Sequence, residues 1–132
     1  MSKLVAAFLV TLFMATSQVA LASEDPTYPF IVKIAGQEAV KSDPVKPFAV
    51  INEAVANNSE IEVAAEGQVI INLVQCDDQG NPVAGKATAV LMFQGPKGSL
   101  DKTIDGKKLE SGKYLANVVA NGATSRVVFN VQ

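Results

Sequence analysis

A hairpin signal near the C-terminus constrains the fold of this chain more than any other feature. Asn121-Gly122 separates two runs of alternating apolar and polar residues. Asn-Gly favours a two-residue type I′ turn, because both central positions of that turn need positive φ. The turn pairs Ala120 with Ala123 and, further along, Tyr114 with Phe129, and a slip of one residue would mix the two faces. The predicted buried face is Tyr114, Ala116, Val118, Ala120, Ser125, Val127, Phe129 and Val131.

The rest of the chain shows the same β pattern. Short apolar runs alternate with Gly, Pro and Asn turn signals at the spacing of about 8–12 residues that is typical of sandwiches and barrels. The predicted strands are Phe30–Ala35, Pro47–Ile51, Ile61–Ala65, Gln68–Cys76, Ala87–Phe93, Ser99–Ile104, Lys113–Ala120 and Ala123–Val131. Gln68–Cys76 and Ala87–Phe93 are apolar on both faces over much of their length, which favours central positions. We predict an all-β fold of about seven or eight strands in two antiparallel sheets packed face to face.

Turn motifs in the C-terminal half resemble those of a known class of modules. The matching residues are Asp77-Asp78-Gln79-Gly80-Asn81-Pro82-Val83-Ala84-Gly85-Lys86-Ala87, Asp105-Gly106-Lys107-Lys108-Leu109, Ser111-Gly112-Lys113-Tyr114 and Val118-Val119-Ala120-Asn121-Gly122. In order and spacing they resemble bacterial immunoglobulin-like and transthyretin-like extracytoplasmic modules, which implies an immunoglobulin-like sandwich. The paired Cys and core Trp of immunoglobulin domains are absent. Such modules serve as spacers, adhesin domains, accessory subunits and ligand binders, and their pattern carries no catalytic residues to transfer.

The N-terminus has the three parts of a secretory signal. Lys3 supplies a positive charge, Leu4–Ala15 forms an apolar core, and Ala20-Leu21-Ala22 matches a signal-peptidase site. We therefore expect residues 1–22 to be a cleaved signal peptide, residues 23–29 a flexible leader, and residues 30–132 a single β-sandwich domain. The alternative is a retained anchor, but a span needs roughly 20 predominantly apolar residues and this segment includes several polar ones. The expected protein is periplasmic or secreted through a Sec-type signal, with no stable membrane span after cleavage.

Composition excludes several kinds of catalytic and metal site. The chain contains no His and one Cys, which excludes His-based nucleophilic triads, His-ligated zinc or copper, and CxxC knuckles. Gly80–Ala87 approaches the phosphate-loop pattern, but Ala87 replaces the required Ser or Thr and a strand follows instead of a helix. We expect no nucleotide and no other cofactor. A net charge of −3 over residues 23–132, with few aromatic residues beside the lysines, also disfavours nucleic acid.

Two features near residue 77 are weak candidates for chemistry. Asp77, Asp78 and Asn81 offer oxygen ligands for calcium in a Gly-containing loop, but the regular spacing of a calcium loop is missing and a solvated turn is the alternative. Cys76 ends an apolar strand, and nearby carboxylates disfavour its thiolate. A buried inert thiol is therefore favoured over an intermolecular disulfide, and the disulfide over a nucleophilic or redox role.

Positive charge is concentrated in the C-terminal half. Residues 23–66 carry a net charge of −5, whereas residues 67–132 carry +2. The lysines that make a candidate basic rim are Lys97, Lys102, Lys107, Lys108 and Lys113. This rim suits an acidic polymer, a lipid headgroup or the acidic half of another copy. The alternative is that these lysines only keep the surface soluble, because acidic residues lie between them in the sequence.

These observations favour a non-catalytic extracytoplasmic β-sandwich that acts through its surface as an accessory, adhesion or matrix and assembly subunit. A protein partner or self-association is expected, and Ala123–Gln132 offers a route by strand addition if it lies at a sheet edge. One alternative is a periplasmic carrier of a small ligand or metal ion, binding at the mouth between the sheets and the Asp77–Asn81 loop. A hydrolase using paired carboxylates is a second alternative.

Overall fold

The computed structural model describes residues 27–132, and these residues form strands and no helix. The nine strands are β1 (Val32–Ile34), β2 (Gln37–Glu38), β3 (Ala49–Val50), β4 (Glu60–Val63), β5 (Gln68–Gln75), β6 (Thr88–Gln94), β7 (Lys97–Ser99), β8 (Gly112–Ala120) and β9 (Ala123–Val131). The all-β prediction is confirmed. Within this range no helix is long and apolar enough to span a membrane. The predicted signal peptide, residues 1–22, lies outside the described residues.

Two sheets pack face to face as a β-sandwich-like pair. One sheet has four strands in the order β2-β1-β4-β7, and the other has five in the order β3-β9-β8-β5-β6. Alternate residues of both sheets point into one core, which includes Val32 and Ile61 from the first sheet and Ile71, Leu91 and Phe129 from the second. Period-2 alternation therefore explains the main core.

The C-terminal hairpin forms as predicted. Ala120 pairs with Ala123, and the antiparallel ladder continues to Tyr114 and Phe129. Asn121 and Gly122 have φ values of 52° and 77°, as a type I′ turn requires. All eight residues of the predicted inner face are buried. Turn chemistry and apolar alternation are both local properties, so they are readable from the sequence.

Several predicted strand positions are wrong. Gln68–Cys76 does supply a central strand, but β6, predicted to be central, lies at the end of the five-stranded sheet. The strand predicted at Ser99–Ile104 is replaced by the shorter β7, followed by turns. β3 pairs with β9 in parallel, so the larger sheet is not purely antiparallel. β9 lies between β3 and β8 and is not the edge strand that strand addition would need.

The end of the predicted leader is part of the fold. Tyr28 is only 6 % exposed, and its hydroxyl accepts a hydrogen bond from the Val32 amide at 2.9 Å and donates one to the Ala39 carbonyl at 3.0 Å. The Ser125 hydroxyl links the backbone of Phe30 to β9. Residues 27–30 therefore pack along the β9 side of the larger sheet.

Candidate functional site

The two outward-facing surfaces of the sandwich differ sharply in chemistry. On the four-stranded sheet, most of the residues that alternate with the buried ones and point outward are charged. They are Lys33, Glu38, Glu60, Glu62 and Lys97. Opposite charges face each other in the ladder, as Lys33 does with Glu38 and Glu62. This surface is typical of a solvated sheet face.

The outward face of the five-stranded sheet is rich in apolar residues. Its positions on the four long strands are Gln68, Ile70, Asn72, Val74, Thr88, Val90, Met92, Gln94, Lys113, Leu115, Asn117, Val119, Thr124, Arg126, Val128 and Asn130. None of them is acidic. Seven are aliphatic or methionine side chains. In a sheet with one face on the core and the other in water, the outward positions are expected to be polar.

Part of this face is covered by the chain itself. Phe48, Cys76, Leu115 and Val128 form a second, small buried cluster at one end. Cys76 is 7 % exposed, and burial is the main cause that raises the pKa of its thiol. An intermolecular disulfide at Cys76 would require this cluster to open.

The other end carries an apolar group that we call the Met92 patch, in which Met92 and Ile104 are exposed and Ile70, Val90 and Val119 are half-buried. Met92 stands opposite Ile70, which stands opposite Val119 on the next strand. Ile104 lies beside Val90 in the neighbouring row, because its amide donates to the Val90 carbonyl at 2.9 Å, while Thr103 points inward. Met92 is 48 % exposed and Ile104 is 66 % exposed. Contiguous exposed apolar side chains of this kind mark interaction sites.

The Asp77–Asn81 loop is organised by its own hydrogen bonds. Asp77 Oδ1 accepts the amides of Gln79 and Asn81 at 2.9 and 3.0 Å. Asp78 Oδ1 lies 2.5 Å from Lys113 Nζ, and this hydrogen bond is the main cause that lowers the pKa of the Asp78 carboxyl. Throughout residues 27–132, no group of three or more Asp, Glu, Cys or His side chains is arranged to hold a metal ion.

The five candidate lysines lie on three different surfaces. Lys97 is on the four-stranded face, 4.0 Å from Glu60. Lys113 is on the five-stranded face with Asp78, and Lys102 lies beside β6 next to the Met92 patch. Lys107 and Lys108 line a cleft. The fold therefore does not bring the five together as one rim.

That cleft has a volume of about 160 Å³ and opens at the mouth of the sandwich. Its lining residues are Gln75, Ala87, Thr88, Ala89, Asp105, Lys107, Lys108, Leu109, Glu110 and Tyr114. The Tyr114 hydroxyl donates to the Glu110 carbonyl at 2.8 Å, and burial is the main cause that raises its pKa. The Asp77–Asn81 loop, expected to contribute to a site at this mouth, does not line the cleft.

Two carboxylates line the cleft, as paired-acid catalysis would need. Asp105 accepts the backbone amide of Lys107 at 3.0 Å, and this bond is the main cause that lowers its pKa. A glycosidase-type general acid needs a raised pKa, so the environment of Asp105 favours a turn-stabilising role instead.

The Met92 patch is the feature that the sequence interpretation missed. The signal was present in QVIINLVQC and ATAVLMF, which are apolar on both faces. Two-sided apolarity predicts a central position in a sheet for both strands. In the structure only Val69, Ile71, Leu73 and Leu91 turn inward to full burial, and their neighbours remain on the outer face.

Comparison with models of known families gave no match. Searches of the curated proteins and of the solved structures also returned no similar chain.

Proposed function

We propose that this chain is a non-catalytic, exported sandwich of immunoglobulin-like type that acts as an accessory, adhesion or assembly subunit through the outer face of its five-stranded sheet. One observation carries the proposal: the outward strand positions of this face include no acidic residue, and they carry the Met92 patch. The four-stranded face of the same molecule provides an internal comparison, because its outward strand positions are charged or polar.

The energetic reason is the hydrophobic effect. Covering apolar surface is favourable by about 25 cal/mol per Å², so Met92 and Ile104 favour contact with another surface over exposure to water. The absence of carboxylates around the Met92 patch on these strands lowers the desolvation cost of that contact, since burying an unpaired charge is expensive. The signal-like N-terminus supports an extracytoplasmic setting for this contact.

Site-specific photocrosslinking in the producing cell tests this function. A benzophenone amino acid at Gln94, on the outer face beside Met92, is expected to form a covalent adduct with a protein. The matched control places the same group at Glu38, on the four-stranded face, and is expected to give no adduct. Equal labelling from both positions, or none from Gln94, would refute a docking role for the five-stranded face.

The cleft supports a second candidate function as a small-ligand carrier. Its volume of about 160 Å³ lies below the roughly 300–1,000 Å³ of drug-sized sites, so an occupant would be the size of an amino acid. Lys107, Lys108, Asp105 and Glu110 offer both signs of charge, which suits a zwitterion. A thermal-shift screen against free amino acids tests this: stabilisation lost in Gln75→Ala supports it, and no shift with any of them removes it.

A further inference from the structure

Building on the proposed function, we propose that the outer face of the five-stranded sheet binds the same face of a second copy of this chain. The two sheets would pack face to face around the Met92 patch, at the spacing of about 10 Å found between stacked sheets. The contact is isologous, so the face must be complementary to itself.

The polar residues in the middle of this face meet that requirement. Asn72 and Asn117 stand opposite each other on β5 and β8, in the row next to Ile70 and Val119. An amide side chain is both a donor and an acceptor, so it pairs with a copy of itself without an acidic partner. A patch built around one sign of charge lacks this property.

The formal charges next to the patch lie at its two sides. Arg126 is on β9, and Lys102 is beside β6 at the opposite side of the patch. Both have long side chains whose charged ends can stay in water while the stems cover apolar surface. The centre of the face can therefore be desolvated without burying a charge.

The open part of the face suits a weak, reversible dimer. Because Phe48 covers the row that contains Leu115 and Val128, the open rows run from Gln68 to Asn72 across the four long strands. Strands lie about 4.8 Å apart with a rise of about 3.3 Å per residue, so four strands by five residues cover about 320 Å² in projection. This area is below the roughly 800 Å² per partner of a standard interface and fits a transient contact.

The sheet edges explain why faces, rather than edges, are the route to assembly. The segment after β7 covers part of the β6 edge, where the Ile104 amide donates to the Val90 carbonyl and Thr103 bridges Leu91. β3 and residues near Thr27 cover β9. Both edges of the large sheet are thus partly occupied, which disfavours pairing with a second chain.

Sedimentation velocity of the processed protein, from about 1 to 500 µM, tests this pairing. We expect a reversible monomer–dimer equilibrium in the unmodified chain and at least a tenfold weaker association in Met92→Glu. The matched control is Val45→Glu, because Val45 is 87 % exposed and lies in the turn before β3, outside the Met92 patch. Circular dichroism and urea unfolding verify that both variants fold.

Salt supplies an independent readout. Arg126 and Lys102 bring like charges to both sides of the contact, so raising the salt concentration screens repulsion and tightens the dimer. Docking on an acidic protein or an anionic vesicle would instead weaken with salt.

Three results would refute the proposal that a second copy binds this face. They are a monomer at every concentration, equal effects of Met92→Glu and Val45→Glu on association, or association that weakens as salt is raised. A monomer that still crosslinks from Gln94 to a different protein refutes only the second copy and leaves the proposed function standing. A monomer without that adduct refutes both.

Discussion

Removing the hydroxyl of Ser125 is a small change that is expected to lower the stability of the fold substantially. Its side chain is fully buried, and its hydroxyl donates to the Phe30 carbonyl at 2.9 Å and accepts the Phe30 amide at 3.2 Å. Ser125→Ala removes both bonds and leaves two buried backbone groups without these partners. Each unsatisfied group costs about 1–3 kcal/mol, so we expect the free energy of unfolding to fall by about 3 kcal/mol.

Urea unfolding followed by circular dichroism measures this loss. With a slope of about 2 kcal/mol per molar, a loss of about 3 kcal/mol lowers the midpoint by about 1.5 M. Thr124→Ala is the matched control, because Thr124 is the preceding residue on the opposite, partly exposed face, and it should change stability by less than about 0.5 kcal/mol. A midpoint for Ser125→Ala within about 0.2 M of the unmodified protein would refute the link between residues 27–30 and β9.

Three further predictions address the turn, a close contact and the thiol. Replacing Asn121 and Gly122 together by Val should cost about 1–3 kcal/mol, because β-branched residues resist positive φ; an unchanged melting temperature would contradict the turn. In Gly98→Ala the new Cβ would lie 2.5 Å from the Phe93 ring, so we expect a loss of about 1–3 kcal/mol that Phe93→Leu partly restores in the double variant. Cys76 should react slowly with Ellman's reagent in the folded protein and quickly in urea, since burial covers the thiol and raises its pKa; rapid native labelling would place the thiol at the surface.

Local chemistry made the C-terminal hairpin predictable. The pairing of β8 with β9 follows from Asn121-Gly122 and from alternation, both of which act between neighbours in sequence. The central position of β5 was also readable, because its apolar run is long. Nothing comparable marks β2, which has two residues and pairs only with β1. β3 was predicted within Pro47–Ile51 but has only two residues in the structure.

The wrong position of β6 has a different cause. Val90 and Met92 made this strand apolar on both faces, and a single sequence does not distinguish a side chain covered by its own fold from one on an exposed face. Similarly, Tyr28 in a Pro-rich stretch gave no local sign that its hydroxyl would reach Val32 and Ala39. Such contacts depend on tertiary structure.

Oxidation of Met92 tests the central claim, contact at the five-stranded face, most directly. It is the only methionine after residue 14, so mass spectrometry of the peptide that contains it reads its conversion to the sulfoxide without ambiguity. The account predicts slow oxidation by hydrogen peroxide at concentrations where the protein is assembled and fast oxidation on dilution, because 48 % of the side chain is exposed in the monomer. Equally fast oxidation at all concentrations, and in the producing cell, would contradict it.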